Sequence, residues 1–262
     1  MSTDSIIYAP PTGKPLGTNS AFKFCAVIVI PILNAVAKRQ WRGGENIPKH
    51  GAVIIASNHV SYSDVLFFAH FLYKNGRAPR FIGKQSVFDT PIIGRIVKAA
   101  GQIPVDRESK DASKALDHAA AALKAGHCVG IYPEGTLTRD EHLWPMVAKT
   151  GIARLALMTG VPVIPVAAWG PHKILPRYGK KPHLWPRVPM TYVAGTPVNL
   201  SKWVGQEDNP QALIEATAEI MRTLRQMLEE IRGEKAPLLP FDPHTSDLPR
   251  TGKFQPNKDK KQ

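Results

Sequence analysis

The distribution of apolar residues changes character along the chain. Residues 1–19 are rich in Pro, Gly, Ser and Thr and read as a mobile polar arm. Residues 21–37 are then almost continuously apolar, interrupted by Lys23, Pro31 and Asn34. A spanning helix needs about 20 mainly apolar residues, so this shorter run reads as a kinked helix lying in a membrane interface, embedded from one side. Lys38, Arg39, Trp41 and Arg42 follow it as a basic and aromatic anchor. The long polar arm and the lack of an A-x-A site argue against a signal peptide. From Gly43 onward, short apolar runs alternate with stretches of helical period, the pattern of an α/β domain. Strands are expected at 52–56, 80–83, 102–105, 128–132, 161–167 and 190–194. Helices are expected at 64–73, 91–100, 112–125, 151–158 and 210–231. In the last helix Leu213, Ile214, Ala218, Met221, Leu224 and Leu228 form one packing stripe. Residues 233–262, with five prolines and scattered lysines, read as a disordered tail. The chain thus divides into an arm and interface helix (1–40), one folded domain (41–232) and a Pro- and Lys-rich tail (233–262).

The richest chemistry lies just after the first buried-looking run. Ser57-Asn58-His59-Val60-Ser61-Tyr62-Ser63-Asp64 places a histidine and an aspartate five residues apart. Imidazole has an unperturbed pKa near neutrality and takes a proton from an alcohol without drastic tuning. A carboxylate beside it fixes the tautomer and stabilises the imidazolium. Helical neighbours are three or four apart, so this pair must straddle a strand-to-helix turn, with Asp64 opening the helix. Amides at that helix start face the same space, ready to stabilise an anion. Taken alone, the pair reads more readily as a helix cap beside a loop histidine, and the motifs downstream reverse that balance.

Three further motifs follow in order. Gly101-Gln102-Ile103-Pro104-Val105-Asp106-Arg107 is a short strand that delivers an arginine. Gly130-Ile131-Tyr132-Pro133-Glu134-Gly135-Thr136 is an apolar strand that breaks at Pro-Glu-Gly. Lys149-Thr150-Gly151 opens a helix before the apolar run 161–166. As an ordered set over about Trp41 to Gly195, these resemble the glycerolipid acyltransferase family, which includes the 1-acylglycerol-3-phosphate acyltransferases. The resemblance implies a central mixed sheet flanked by helices. It also implies that His59 is a general base, that Asp64 is its partner, and that Arg107 and Glu134-Gly135-Thr136 bind the acceptor. A guanidinium suits that task because it meets a phosphate bidentately and stays charged. Lys84, Arg139 and Lys149 are candidate helpers for the phosphate. One departure stands out. The family reads Pro-Glu-Gly-Thr-Arg, whereas Leu137 occupies the arginine position here. Arg139 follows two residues later, at most about 7 Å along an extended chain, and is the candidate substitute.

Composition narrows the partners. The formal net charge is +13, from 34 Lys and Arg against 21 Asp and Glu. This attracts anionic lipid, phosphorylated substrates or nucleic acid without choosing among them. A nucleic-acid module gives no reason for His59, Asp64 and Glu134 to sit at three strand ends, so no nucleic-acid partner is expected. The segment 171–190 adds Lys173, Arg177, Lys180, Lys181 and Arg187 beside Tyr178, Leu184 and Trp185, a mixture suited to headgroups or to a solvated connector. Cys25 and Cys128 lack metal spacing and read as reduced thiols. There is no G-x-S-x-G elbow, phosphate loop, H-E-x-x-H or dinucleotide fingerprint. A thioester is already activated, so no metal or other cofactor is expected, and the donor is acyl-CoA or acyl-carrier protein. The expected activity is transfer of a fatty acyl group to the free hydroxyl of 1-acylglycerol-3-phosphate at the cytoplasmic face of a cell membrane, giving phosphatidic acid. Glycerol 3-phosphate, another lysophospholipid or a glycolipid are alternative acceptors, and a His–Asp thioesterase or hydrolase is the rival class.

Overall fold

The computed structural model describes residues 8–105, 112–243 and 245. Seven strands form one sheet: β1 (Ala37–Arg42), β2 (Val53–Ser57), β3 (Arg80–Lys84), β4 (Ile103–Val105), β5 (Cys128–Ile131), β6 (Val163–Trp169) and β7 (Val188–Ala194). Their spatial order is β1-β7-β6-β2-β5-β3-β4. Neighbours run parallel except β6 with β7, so the sheet is mixed as expected. The helices are α1 (Ser20–Val36), α2 (Asp64–Lys74), α3 (Gln85–Phe88), α4 (Ile93–Ala99), α5 (Ala112–Lys124), α6 (Gly151–Thr159), α7 (Pro171–Ile174) and α8 (Pro210–Arg232).

Successive residues of a strand point to opposite faces, and β2 uses both. Val53 and Ile55 pack with Phe67, Phe68, Phe71 and Leu72 of α2. Ile54 and Ala56 pack with Ala119 and Leu123 of α5, Leu155 of α6 and Ile220 and Leu224 of α8. A strand covered by helices on both sides has no polar face, which is why its sequence is an unbroken apolar run. The helix ends are chemically explicit. Asn209 caps α8 by accepting from the Gln211 and Ala212 amides, with Pro210 at the first helical position. Gly160 and Gly233 end α6 and α8 in the left-handed region, at φ 65° and 68°.

Several expectations are corrected. The basic and aromatic segment behind α1 is an edge strand, β1, which pairs with β7 from Ala37↔Val188 to Arg42↔Val193. It crosses the expected boundary at residue 40, and Trp41 packs edge-on against His70 and Phe71. The described part of the arm, 8–19, is docked. Tyr8 meets the His127 ring, Ala9 O lies 2.8 Å from His127 Nε2, and Leu16 forms a bridge with Arg77. The described start of the tail is also packed, with Val147 N donating to Phe241 O at 2.9 Å. The helix expected over 91–100 shortens to α4, and α3 and α7 appear as extra single turns. Helix α1 runs on through Pro31, burying Ala26 and Leu33 while Phe24, Val27, Ile28 and Ile32 stay exposed.

Two guanidinium groups are buried near the arm, and one of them, Arg80, holds it. Arg77 donates to Pro48 O and Gly51 O, both at 2.7 Å, and to Gly126 O. Arg80 donates to Ala100 O and, at 3.0 Å, to Gly17 O of the arm. Deleting residues 1–17 takes the Gly17 carbonyl from Arg80, Ala9 from His127 and the Leu16 carbonyl from Ala78 N. Each buried group left unpaired costs about 1–3 kcal/mol. The truncated protein is therefore expected to melt several degrees lower. An unchanged midpoint in thermal denaturation would return the arm to the status of an ornament.

Candidate active site

Parallel neighbours β2, β5, β3 and β4 end on one edge of the sheet, and the described segments after β2 and β5 carry expected groups. After Ser57 the chain leaves β2 and is held to β6 by Asn58, whose amide donates to Ala168 O (3.0 Å) and accepts from Ala168 N (2.8 Å). His59 comes next, and Asp64 opens α2 as expected. The Asp64 side chain is buried, and its Oδ2 lies 2.9 Å from His59 Nδ1. The same oxygen accepts from Val60 N at 2.6 Å and Ser61 N at 3.0 Å. A carboxylate accepts only, so Nδ1 carries the hydrogen and Nε2 keeps the lone pair. The His59 ring stacks on Tyr132, just past β5, at 4.0 Å between centroids and 16° between planes.

Glu134 braces this arrangement from below. It is 2% exposed. Its Oε1 accepts from His59 N at 3.2 Å and its Oε2 from Met146 N at 3.1 Å. Thr138 N donates to His59 O at 2.8 Å, so both backbone groups of His59 are fixed by the Glu134 loop. Each Glu134 oxygen thus has a partner inside the protein, an internal role that stands beside the acceptor contact expected for it. Burial pushes its carboxyl up to about 8, against the opposing pull of the Met146 and His59 amides.

The remaining expected residues divide. Gly135 and Thr136 are half-buried in the turn. Gly135 has φ 69°, and Lys149 lies across it: a Cβ there would stand 3.3 Å from Lys149 Cε. Lys84 ends β3 in register with Val105 of β4. Arg107, two residues beyond Val105, falls outside the described residues. Leu137 and Arg139 are both buried. Arg139 is 1% exposed, yet its Nε, Nη1 and Nη2 have no hydrogen-bond partner.

Sequence reading missed the strap that closes the site. Ser61 Oγ donates to Leu175 O at 2.7 Å and Ser63 Oγ to Pro171 O at 3.1 Å. Arg177 Nη1 donates to Thr138 O and Asp140 O, each at 2.7 Å, the carbonyls on either side of Arg139. In sequence Arg177 is only one charge in a segment suited to headgroups or to a solvated connector, since its partners lie 37 and 39 residues away. Among the described residues no hydroxyl hydrogen-bonds the His59 ring, and no group of three His, Cys, Asp or Glu side chains converges as a metal cradle.

The Glu134 carboxyl makes stability depend on pH. Its folded pKa, about 8, lies above its ordinary value of 4.5, so its contribution is fully present below about 4.5 and is lost as pH rises through about 8. Glu134→Gln cannot ionise and should lose that slope. The amide should also cost stability at low pH, because its NH₂ faces an N–H donor. Denaturant midpoints measured from pH 5 to 9 test this. Parallel curves for the two proteins would mean that Glu134 is ionised throughout.

Residues 38–169, half of the chain, match the family model described as Acyltransferase. A chloroplastic 1-acyl-sn-glycerol-3-phosphate acyltransferase of Brassica napus is 33% identical over 53% of this chain and 39% of its own length. The chain thus spans less than half the length of the plant relatives it matches. The Bacillus subtilis 1-acyl-sn-glycerol-3-phosphate acyltransferase is 26% identical over 80% of this chain and 100% of its own. The crystal structure of the Thermotoga maritima 1-acyl-sn-glycerophosphate acyltransferase PlsC has the same fold, with TM-score 0.61 and 22% identity over 84% of this chain and 86% of that one. With the α/β sheet, the His59–Asp64 pair at a strand end and a family model matching half of its length, this chain belongs to the acyltransferase family.

Proposed function

We propose that the chain transfers a fatty acyl group from an acyl thioester to the free hydroxyl of 1-acylglycerol-3-phosphate, giving phosphatidic acid. The observation that carries this reading is the His59 ring itself. Its Nδ1 is tied to a buried carboxylate, and no protein hydroxyl among the described residues is hydrogen-bonded to it. A base with no nucleophile beside it suits direct attack by an acceptor hydroxyl. His59 Nε2 takes the hydroxyl proton as that oxygen bonds to the thioester carbonyl carbon. The tetrahedral intermediate then breaks its C–S bond, and the imidazolium returns the proton to the departing thiolate. Asp64 stabilises the imidazolium between these steps, and amides near His59 hold the developing oxyanion.

The acceptor phosphate is assigned to Arg139 with Arg107, Lys84 and Lys149. A guanidinium buried without partners is stabilised when an anion supplies the missing acceptors. The donor is acyl-CoA or acyl-carrier protein, and the reaction uses no metal or other cofactor. Helix α1 serves as the membrane contact, its exposed Phe24, Val27, Ile28 and Ile32 dipping into the interface of the cytoplasmic leaflet. No described helix is long and apolar enough to cross a membrane.

Purified protein with labelled acyl-CoA and a panel of acceptors tests the reading through its products. Label should pass to 1-acylglycerol-3-phosphate. Preferred labelling of glycerol 3-phosphate, another lysophospholipid or a glycolipid would reassign the acceptor, and release of free fatty acid alone would make the chain a hydrolase. His59→Ala should lower transfer about 10²–10⁴-fold in a folded protein, and near-normal turnover would end the mechanism. Arg139→Ala should raise KM for the phosphate-bearing acceptor roughly ten- to hundred-fold while leaving KM for the thioester alone. An equal loss with an acceptor lacking the phosphate would show that Arg139 serves only the fold.

A further inference from the structure

The turn between α3 and α4 holds two isoleucines in water. Ile92 is 73% exposed and Ile93 53%, with Val87 of α3 also exposed beside them. The turn is built to keep them out. Phe88 is buried, and Gly83 and Gly94 both lie against it. A Cβ on Gly94 would stand 2.0 Å from Phe88 O, so α4 starts in tight backbone contact with the end of α3. Gly94 N also donates to Thr90 O at 2.8 Å. The close Gly94–Phe88 contact fixes the backbone on which the two isoleucines stand exposed, and neighbouring exposed apolar side chains are candidates for a contact surface.

The place of the turn defines what it meets. It follows Lys84, the last residue of β3, after the single turn of α3, on the side of the sheet where β2 and β5 also end. Helix α4 is tied to α1, with Asn19 Nδ2 at the start of α1 donating to Ala99 O at the end of α4 (2.8 Å). The exposed side chains of α1 and of the turn therefore belong to two elements packed on one another. The charged residues of 84–100 are Lys84, Arg95 and Lys98 against Asp89, a basic excess. Aliphatic tips with basic neighbours match an anionic bilayer, which takes up the isoleucines and attracts the cations.

We infer that the Ile92–Ile93 turn is a second point of membrane insertion, which sets the mouth of the site against the bilayer so that the acceptor enters from the lipid. This rests on the membrane-associated reading above and adds to it: α1 holds the protein on the surface, and the turn orients it. The test uses the full chain and Ile92→Ser/Ile93→Ser, exposed positions that carry little of the fold. Vesicles of phosphatidylcholine and phosphatidylglycerol bear a long-chain 1-acylglycerol-3-phosphate, and a short-chain analogue is supplied in solution. Losing two inserted isoleucines should lower transfer to the vesicle-borne acceptor about ten-fold or more, with transfer to the soluble acceptor unchanged. Equal loss on both acceptors would place the isoleucines in an acyl pocket, and no loss on either would leave the turn outside the contact. A wild-type dimer that the double variant dissolves would make the face a protein interface, and weaker use of acyl-carrier protein by the variant, with vesicle transfer intact, would make it a donor dock. Wild-type protein that neither floats with vesicles nor favours their acceptor would instead overturn the membrane reading itself.

Discussion

The buried carboxylate of Asp64 is the constraint on which the site depends. One of its oxygens takes the His59 ring and the amides of Val60 and Ser61 together. Those three groups come from one short loop, so a single acceptor decides how the chain leaves β2 and enters α2. It also decides the histidine tautomer, because a carboxylate has no hydrogen to give. An ionised group is costly to bury without such bonds, and here structure and chemistry use the same ones. Breaking them for a structural reason would disorder the base, and altering the base would leave the carboxylate without its partner.

Around that centre the protein fixes backbone more than side chains. Glu134 holds the His59 amide, Thr138 N holds the His59 carbonyl, and Arg177 holds the carbonyls of Thr138 and Asp140. Further out, Arg232 lies between the indoles of Trp144 and Trp169, at 3.9 and 4.3 Å from their centroids, and donates to His142 O. The end of α8 thereby supports the loop that presents Met146 N to Glu134. A loop site gains precision when its main chain is pinned from several elements, and the parallel strands bring those elements to one edge.

Much of this was legible in the sequence, and the illegible part has a common cause. Strands β2, β5 and β6 announce themselves as apolar runs because both their faces are covered. His59, Asp64 and the Glu134 turn stand where such runs end. By contrast, β1 is an edge strand whose Lys38, Arg39, Gln40 and Arg42 are exposed, so its polarity read as a surface anchor. What makes it a strand is β7, about 150 residues later. The same holds for residues 8–17, whose value lies in the carbonyls they offer to Arg80 and His127, and every residue type carries a carbonyl. Arg177 was invisible for the converse reason, since a basic residue in a basic loop gives no sign that it reaches main chain elsewhere. Side-chain pattern reports burial, whereas partnerships through backbone leave no mark on residue identity.

That distinction bears on the one departure from the family pattern. Three arginines among the described residues are deeply buried, and two of them are treated alike. Arg77 donates to three main-chain carbonyls and Arg80 to two, which is how a fold keeps a guanidinium inside without a carboxylate. Arg139 is as buried as Arg77, yet none of its nitrogens meets an acceptor. Its flanking carbonyls, which might have served, are occupied by Arg177 instead. Leaving so many donors unpaired is expensive, and the loop that carries this cost is the one that grips His59. The other two are largely satisfied by the fold, with Nε alone of each lacking an acceptor. On the function proposed above, an arginine kept unsatisfied in the loop that grips His59 waits for acceptors that arrive from outside, and a phosphate has the charge and the oxygens to supply them.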